Sequence, residues 1–353
     1  MKRAVVMLPL VLLLVAAPVA GAGYDPVGGG VTRLVLDKRF AGFLARAGVR
    51  VVPKAGAAKH GRTLVLPVSG GEVDPTIGRG EVEQGGAIVF SSPRRRLPVR
   101  KLVVKTTHAP IVAKVGGSQL KLATSTATAS KRRGFGTVFS AAKLKLTAKV
   151  ATRLDKKLRP RAQFAAGQLI GTLTTSAQPR LTSIVPTGRA TLVFDQAFVA
   201  KLDRHFVSLN PIFPAEHVGP TFTLPIIAEG TLAPDASSGT LRTGGAIEFL
   251  QLGAGQLFWH ELWFDLDLHS ALAEVDVEPT PAFPGKLGQV PALVLGGGTV
   301  ASEPAARTIG LSGASLSLPQ STADVLNSAF AEGKDDFKAG ELLGTISFVA
   351  QGQ

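Results

Sequence analysis

The chain has 353 residues, and its net charge of +14 hides a strong difference between its two halves. Residues 23–185 carry 29 Lys and Arg against 7 Asp and Glu (net +22), whereas residues 186–353 carry 8 against 18 (net −10). The chain contains no cysteine, which excludes disulfides, thiolate metal sites and a lipidated cysteine. Its stability must therefore come from apolar cores, which two domains of about 160 residues are large enough to build.

The first 22 residues have the pattern of a secretory signal peptide. Lys2 and Arg3 are followed by an apolar run from Ala4 to Val15 and by the small residues Ala20-Gly21-Ala22. This apolar run is shorter than the roughly 20 residues that a membrane-spanning helix needs, and no later segment is long and apolar enough to span. We therefore predict cleavage after residue 22, no transmembrane segment in the mature chain, and a secreted or cell-surface location.

Three sequence blocks occur twice in the same order, which predicts a tandem duplication. Leu-Val-Leu-Asp at residues 34–37 corresponds to Leu-Val-Phe-Asp at 192–195, and Gly-Gly-Ala-Ile at 85–88 recurs at 244–247. Near the ends, Phe-Ala-Ala-Gly at 164–167 corresponds to Phe-Lys-Ala-Gly at 337–340. We predict a first domain at residues 30–176, a linker at 177–188 and a second domain at 189–353.

Each copy begins with a strand and a short helix, which Asp37 or Asp195 is placed to cap. Short apolar runs separated by Gly and Pro follow and predict several strands; the Gly-Gly pair suits a bulge or a close backbone approach. A second helix is predicted at residues 147–158 and at 320–330, the latter capped by Ser321 or Thr322, before a closing strand. The predicted fold is mainly β, with two tandem β-sandwich-like domains that each carry one or two short helices.

The C-terminal motifs resemble a known family. Leu-Asn-Ser-Ala-Phe at residues 326–330, Phe-Lys-Ala-Gly at 337–340 and Gly-Thr at 344–345 are similar to the haem-transport-associated (HtaA-type) domain of exported actinobacterial proteins. The resemblance implies a β-rich haem-binding module at the cell surface, in which a tyrosine supported by a histidine holds the iron. This chain departs from that pattern, because its single tyrosine, Tyr24, precedes the first repeat.

Histidine is the donor left for an iron ligand, since cysteine is absent and both methionines lie in the predicted signal peptide. His108 and His269 follow comparable runs in the two copies, and His260 lies in an aromatic run, residues 257–264. Strand alternation places Phe258, His260 and Phe264 on one face and His269 on the other. The alternative interpretation is that these aromatic residues form core or an inter-domain seam.

The sequence gives little support for a metal site or for catalysis. Asp265, Asp267 and His269 alternate and have the residue types to hold a cation, but such a face is more often simply solvated; we predict no metal site. There is no Gly-x-Ser-x-Gly motif and no repeated acid pair beyond Asp37 and Asp195, so we predict no catalytic residues and no enzyme activity.

Clustered cations predict an anionic partner for the first half of the chain. The predicted patch lacks the interleaved aromatic residues that stack nucleic-acid bases, so wall polymer or lipid headgroups fit an exported protein better than nucleic acid; a merely solvated basic surface is the alternative. Two functions remain open: a binding module for haem or another flat apolar ligand, and an adhesive envelope protein held through its basic half. The patch comprises Arg94, Arg95, Arg96, Arg100, Lys101, Lys131, Arg132 and Arg133.

Overall fold

A computed structural model describes residues 23–106, 111–125, 127–227, 229–252, 255–277, 285–332 and 334–353. The chain forms two sheets that share no strand, of eleven and thirteen strands. The first contains β1 (Asp25–Leu36), β2 (Arg50–Lys54), β3 (Ala58–His60), β4 (Thr63–Asp74), β5 (Arg79–Ser92), β6 (Arg95–Lys105), β7 (Ile111–Val115), β8 (Ser118–Thr124), β9 (Ala127–Arg133), β10 (Gly136–Leu146) and β11 (Leu169–Pro179), with helices α1 (Lys38–Arg46) and α2 (Ala148–Leu158).

The second sheet repeats this order of elements with more breaks between strands. It contains β12 (Thr182–Phe194), β13 (Val207–Ile212), β14 (Glu216–Val218), β15 (Thr221–Pro225), β16 (Thr231–Leu232), β17 (Gly239–Arg242), β18 (Ala246–Gln251), β19 (Gly255–Asp265), β20 (Ser270–Val277), β21 (Lys286–Leu295), β22 (Thr299–Val300), β23 (Thr308–Ser317) and β24 (Leu342–Gly352), with helices α3 (Gln196–Arg204) and α4 (Gln320–Phe330).

The predicted fold class is confirmed, because strands dominate and each tandem domain carries two short helices. The strand pairing adds that each sheet closes on itself. In the first, β5, β6, β7, β8, β10, β11, β1 and β4 form a ring that ends with β4 on β5; in the second, β19, β17, β16, β12, β24, β23, β21 and β20 form the equivalent ring. Closure removes most exposed strand edges, which otherwise template aggregation.

The aspartate-capped helices and the close approach at the Gly-Gly pair form as the sequence predicts. The Asp37 carboxylate accepts the backbone amides of Arg39 and Phe40, and Asp195 caps α3 in the same way. Gly86 and Gly245 have φ of 83° and 86°. A side chain at either position would collide with neighbouring backbone, since its Cβ would lie 2.8 Å from the Ala55 oxygen or 2.7 Å from the Ala215 nitrogen.

Two expectations differ from the structure. Residues 177–188, the expected linker, are largely strand, because β11 ends at Pro179 and β12 begins at Thr182. The predicted cap of α4 by Ser321 or Thr322 is wrong: Pro319 occupies the N-cap, and the Thr322 hydroxyl donates to the Ala292 carbonyl oxygen at 3.0 Å. That hydroxyl ties the helix to β21 rather than to its own first turn.

The two sheets also contact one another. Phe135, which precedes β10, is buried in the apolar core of the second sheet, and the buried Asp25 carboxylate accepts hydrogen bonds from the Thr182 hydroxyl (2.8 Å) and the Ser183 amide (3.2 Å). Burial outweighs these hydrogen bonds and raises the pKa of Asp25 above its usual value. The predicted signal peptide lies outside the described residues. Within them, the helices are all too short or too polar to cross a membrane.

Candidate ligand-binding site

A bulge in β19 decides which aromatic side chains face outward. The pairing of β19 with β20 shifts between His260 and Trp263, and Glu261 adopts a left-handed φ of 48°. A bulge adds one residue to one strand and so inverts the alternation that follows it. The inward residues are Trp259, Leu262 and Phe264, all at most 1% exposed.

The expected grouping of Phe264 with His260 is therefore wrong. Phe264 is fully buried in the core of the second domain, whereas Phe258, His260 and Trp263 are each partly exposed. We call these three residues the aromatic stripe. Trp263 takes the outward position that strict alternation assigned to Phe264.

His260 is held at the centre of the stripe by two neighbours. Its ring stacks against Phe258, with ring centroids 5.4 Å apart and an interplanar angle of 26°. Its Nε2 atom lies 3.5 Å from Oδ2 of Asp276 on β20, and its side chain is 34% exposed. A carboxylate that accepts a hydrogen bond from one imidazole nitrogen orients the ring and makes the other nitrogen a better metal ligand, and Asp276 is the carboxylate nearest to Nε2. With Nε2 at the carboxylate, Nδ1 is the nitrogen left for an external partner.

Asp276 has capacity for a further polar partner. Its Oδ1 atom is buried and has no hydrogen-bond partner among the described residues, while Lys286 Nζ lies 3.7 Å from its Oδ2. A buried carboxylate oxygen without a partner is costly. This side of the stripe is therefore polar and includes a cation, Lys286, that is largely exposed.

The other end of the stripe is covered by an arginine. The guanidinium carbon of Arg242 lies 5.7 Å from the Trp263 ring centre, and its nitrogens pair with Glu229 and Glu261. The Arg242 guanidinium, neutralised by the two glutamates, therefore covers one side of the Trp263 indole. Along β19, Trp263 is the next outward residue after Phe258 and His260.

The other histidine candidates do not join this site. His269 is an exposed turn residue with φ of 50°, beyond the end of β19, and His108 lies outside the described residues. Asp265 and Asp267 accept backbone amides instead of forming a polar strand face with His269. Nowhere in the described parts of the chain do three or more metal-binding side chains cluster.

The predicted basic patch is divided among several elements. Residues 94–96 lie exposed at the turn between β5 and β6, Arg100 and Lys101 lie exposed in the middle of β6, and residues 131–133 belong to β9. Arg132 turns toward the second domain, where it donates to the Gln353 carbonyl oxygen. Burial lowers the pKa of Arg132. The predicted patch is therefore contributed by separate elements, since β9 pairs with β10 and not with β6.

Sequence reasoning missed an acidic cleft in the basic domain. Tyr24, which is 44% exposed, and the carboxylates of Glu72, Glu81 and Glu83 line an open cleft of about 580 Å³. The pairing of β4 with β5 sets Glu72 opposite Glu81, a juxtaposition that becomes visible only once the register is known. Within the described part of the chain, the cleft around the single tyrosine presents three carboxylates and no histidine.

Comparison with solved structures returns one domain type. The chain is similar to the crystal structure of the C-terminal domain of HtaA from Corynebacterium glutamicum, at 19% identity, over 48% of this chain and 98% of that one, with a TM-score of 0.37. The N-terminal domain of HtaA from the same organism matches at 16% identity, over 48% of this chain and 99% of that one, with a TM-score of 0.36. Both are HtaA domains.

A domain-swapped dimer of a variant of the HtaA C-terminal domain also matches, at 18% identity, over 44% of this chain and 91% of that one, with a TM-score of 0.34. These solved structures are of the HtaA domain type that the sequence motifs resemble. No family model matches the chain, and no curated protein matches it.

Proposed function

We propose that this protein is an exported, non-catalytic binding protein of the cell envelope, and that its second domain binds haem or another flat apolar ligand at the aromatic stripe. The observation that carries the proposal is the arrangement of His260: a partly exposed imidazole stacked on Phe258 with Asp276 at its Nε2. The sequence resemblance to HtaA-type domains is the reason to test haem first.

The residue types of the stripe match those that hold a haem. Imidazole nitrogen is a common iron ligand, and the exposed faces of Phe258 and Trp263 offer apolar surface, whose burial stabilises a complex by roughly 25 cal/mol per Å². Lys286 Nζ lies 3.7 Å from both Glu274 and Asp276, and because its side chain is largely exposed it can also reach an anionic ligand substituent such as a haem propionate. If haem binds here, His260 would ligate the iron, Phe258 and Trp263 would contact the apolar macrocycle, and Asp276 would orient the imidazole; the haem would supply the iron centre.

The Tyr24 cleft fits haem less well. The described residues that line it include three carboxylates, those of Glu72, Glu81 and Glu83, and no cation, so they repel the negative propionate groups. Among the residues that the structure describes, no histidine lines the cleft. We therefore assign the ligand to the second domain although the tyrosine lies in the first.

A hemin titration of residues 23–353, followed by visible absorption, tests the proposal. We expect the parent to develop a Soret band that His260→Ala abolishes and that Phe258→Ala weakens. Asp276→Asn should weaken binding by about 10- to 100-fold, the usual effect of removing a carboxylate behind a ligating histidine. His269→Ala is the matched control, since it removes an exposed imidazole away from the stripe, and should bind as the parent does.

The proposal is wrong if the parent shows no Soret band with hemin. It is also wrong if His260→Ala keeps the parent's band and affinity. A loss of the band on His269→Ala, with His260→Ala unaffected, would move the site to the turn after β19. Far-ultraviolet circular dichroism of each variant confirms that a lost band is not lost folding.

A further inference from the structure

Three segments of the first domain bring separate cations to one end of its sheet. The pairing of β2, β5 and β6 places Ser91 between Arg50 and Arg96 on adjacent strands. The Ser92 hydroxyl, one residue further, donates to the Leu158 carbonyl oxygen at 3.0 Å, which joins this edge to the C-terminus of α2. We call the resulting surface the basic end; it comprises Arg50, residues 94–96, Lys156, Lys157 and Arg159.

The basic end is exposed and is not neutralised by nearby acids. Each of its side chains is exposed, and among the described residues none lies within 4 Å of a carboxylate. The acid nearest in sequence, Asp155, accepts the Phe164 amide at 2.9 Å. Lys156 and Lys157 lie in the last turn of α2, where the helix dipole favours cations.

The described positions of the second domain that match these cations carry uncharged residues. Through the matching registers of β5 and β18, Arg50 corresponds to Ser208 and Arg96 to Gln256. In α4, Ser328 and Ala329 stand where α2 has Lys156 and Lys157. Because the same scaffold is built without these charges, the fold does not require them.

We propose that the basic end binds a linear polyanion that carries phosphate groups. Arginine provides five of its seven cations, and the planar guanidinium matches a phosphate group bidentately. The three segments contribute none of the described residues' exposed large apolar side chains, which a surface that inserts into a bilayer would present. They also contribute no exposed aromatic ring on which a nucleic-acid base would stack.

This inference is independent of the haem site, because the two surfaces lie on different domains. An extended chain of phosphates offers several contacts in succession, and each contact displaces counterions, so binding should weaken steeply with added salt. The acidic second domain of another copy is the competing occupant, and it too would be salt-sensitive. The experiment therefore includes a measurement of self-association.

The test compares three full-length mature proteins, each titrated with linear sodium polyphosphate across a series of NaCl concentrations. The test variant is Arg94→Gln/Arg96→Gln/Arg159→Gln, and the control, Lys54→Gln/Lys59→Gln/Lys145→Gln, removes three exposed cations elsewhere on the same domain. We expect the test variant to bind more than about tenfold more weakly and to lower the slope of log affinity against log salt by about two, as the loss of two to three phosphate contacts requires. The control should stay close to the parent.

Several outcomes would overturn the proposal. Equal loss in the control would mean that the whole domain attracts polyanions without a defined surface. Binding to vesicles of phosphatidylglycerol and phosphatidylcholine without binding to polyphosphate would point to a membrane. The parent could instead fail to bind polyphosphate but self-associate at low salt, while the test variant does not self-associate. That result would assign the surface to a second copy of the chain. Thermal unfolding of all three proteins checks that the substitutions leave the fold intact.

Discussion

Strands β6 and β19 occupy the same place in the two domains and differ in what they present outward. Both carry a bulge, with Lys101 at φ 49° in one and Glu261 at φ 48° in the other, and each bulge lies at the same point of the pairing with the next strand. Inward residues are apolar in both. The outward positions carry Arg100 and Val103 in β6 but His260 and Trp263 in β19.

The comparison separates scaffold from chemistry. The ring of strands, the Gly-Gly approach and the aspartate caps recur in both domains, because packing and backbone geometry demand them. Packing and backbone geometry do not determine the outward side chains, so these positions include a cation in β6 and are aromatic in β19. Ligand specificity in this protein is therefore expected at outward positions of equivalent strands.

The largest expected effect separates the two tryptophans. Trp259 is 1% exposed and packs on Phe249 with ring centroids 4.6 Å apart, so Trp259→Ala should destabilise the protein by about 3–5 kcal/mol. Trp263→Ala removes an outward ring and a cation–π contact and should cost about 1 kcal/mol or less. Urea unfolding of both variants measures this. Equal losses would contradict the assignment of Trp263 to the outer face.

A smaller effect should distinguish the second helices. The buried Asn327 side chain accepts the amides of Asp336 and Phe337 and donates to the Phe337 carbonyl oxygen, whereas Asp155 at the equivalent position accepts one amide, that of Phe164. Asn327→Ala leaves buried polar groups unpaired and should destabilise by about 1–3 kcal/mol. Asp155→Ala should cost less, as chemical denaturation can show. A larger loss for Asp155→Ala would mean that the two helices are not anchored equivalently.

Much of the scaffold was predictable because it depends on local rules. Asp37 and Asp195 stand before apolar residues at helical spacing, and helix α4 begins and ends where that spacing does. The Gly-Gly pair indicated a close approach, since glycine alone tolerates that backbone. The cap of α4 was mispredicted because the Thr322 hydroxyl found a carbonyl partner on β21, a tertiary contact that sequence spacing does not reveal.

The site was predictable only in part. His260 and Phe258 were placed together by alternation, and they do stack. Phe264 was assigned to the wrong face because Glu261 adopts a left-handed φ. A glutamate in a sequence does not predict that backbone conformation, which glycine usually adopts. The basic end and the Tyr24 cleft depend on strand register, which aligns Arg50 with Arg96 across the intervening Ser91 and sets Glu72 opposite Glu81.

The smallest expected effect is an opposite pH dependence of two carboxylates. Burial raises the pKa of Asp25 above 3.8, so its protonation favours the folded state and this contribution is lost as pH rises from 3.8 through the folded-state pKa. The hydrogen bond from His205 lowers the pKa of Asp336 below 3.8, so its contribution is present above that pH and lost as pH falls below it.

Unfolding free energies measured from about pH 3 to pH 6 test this contrast. The stability of the parent relative to Asp25→Asn should fall as pH rises, and its stability relative to Asp336→Asn should rise over the lower part of that range. Parallel pH profiles for the two variants would contradict the assignment of Asp25 to a buried contact between the sheets.

The central claim is that outward residues of β19, rather than the shared scaffold, bind the flat ligand. It is tested most directly by giving β19 the residues of β6 at equivalent positions, as His260→Arg/Trp263→Val, and titrating this variant and the parent with hemin. Because β6 carries the same bulge with these residues, the variant should fold with nearly the parent's stability. The account predicts a Soret band for the parent and none for the folded variant. A folded variant that keeps the parent's band and affinity would contradict it.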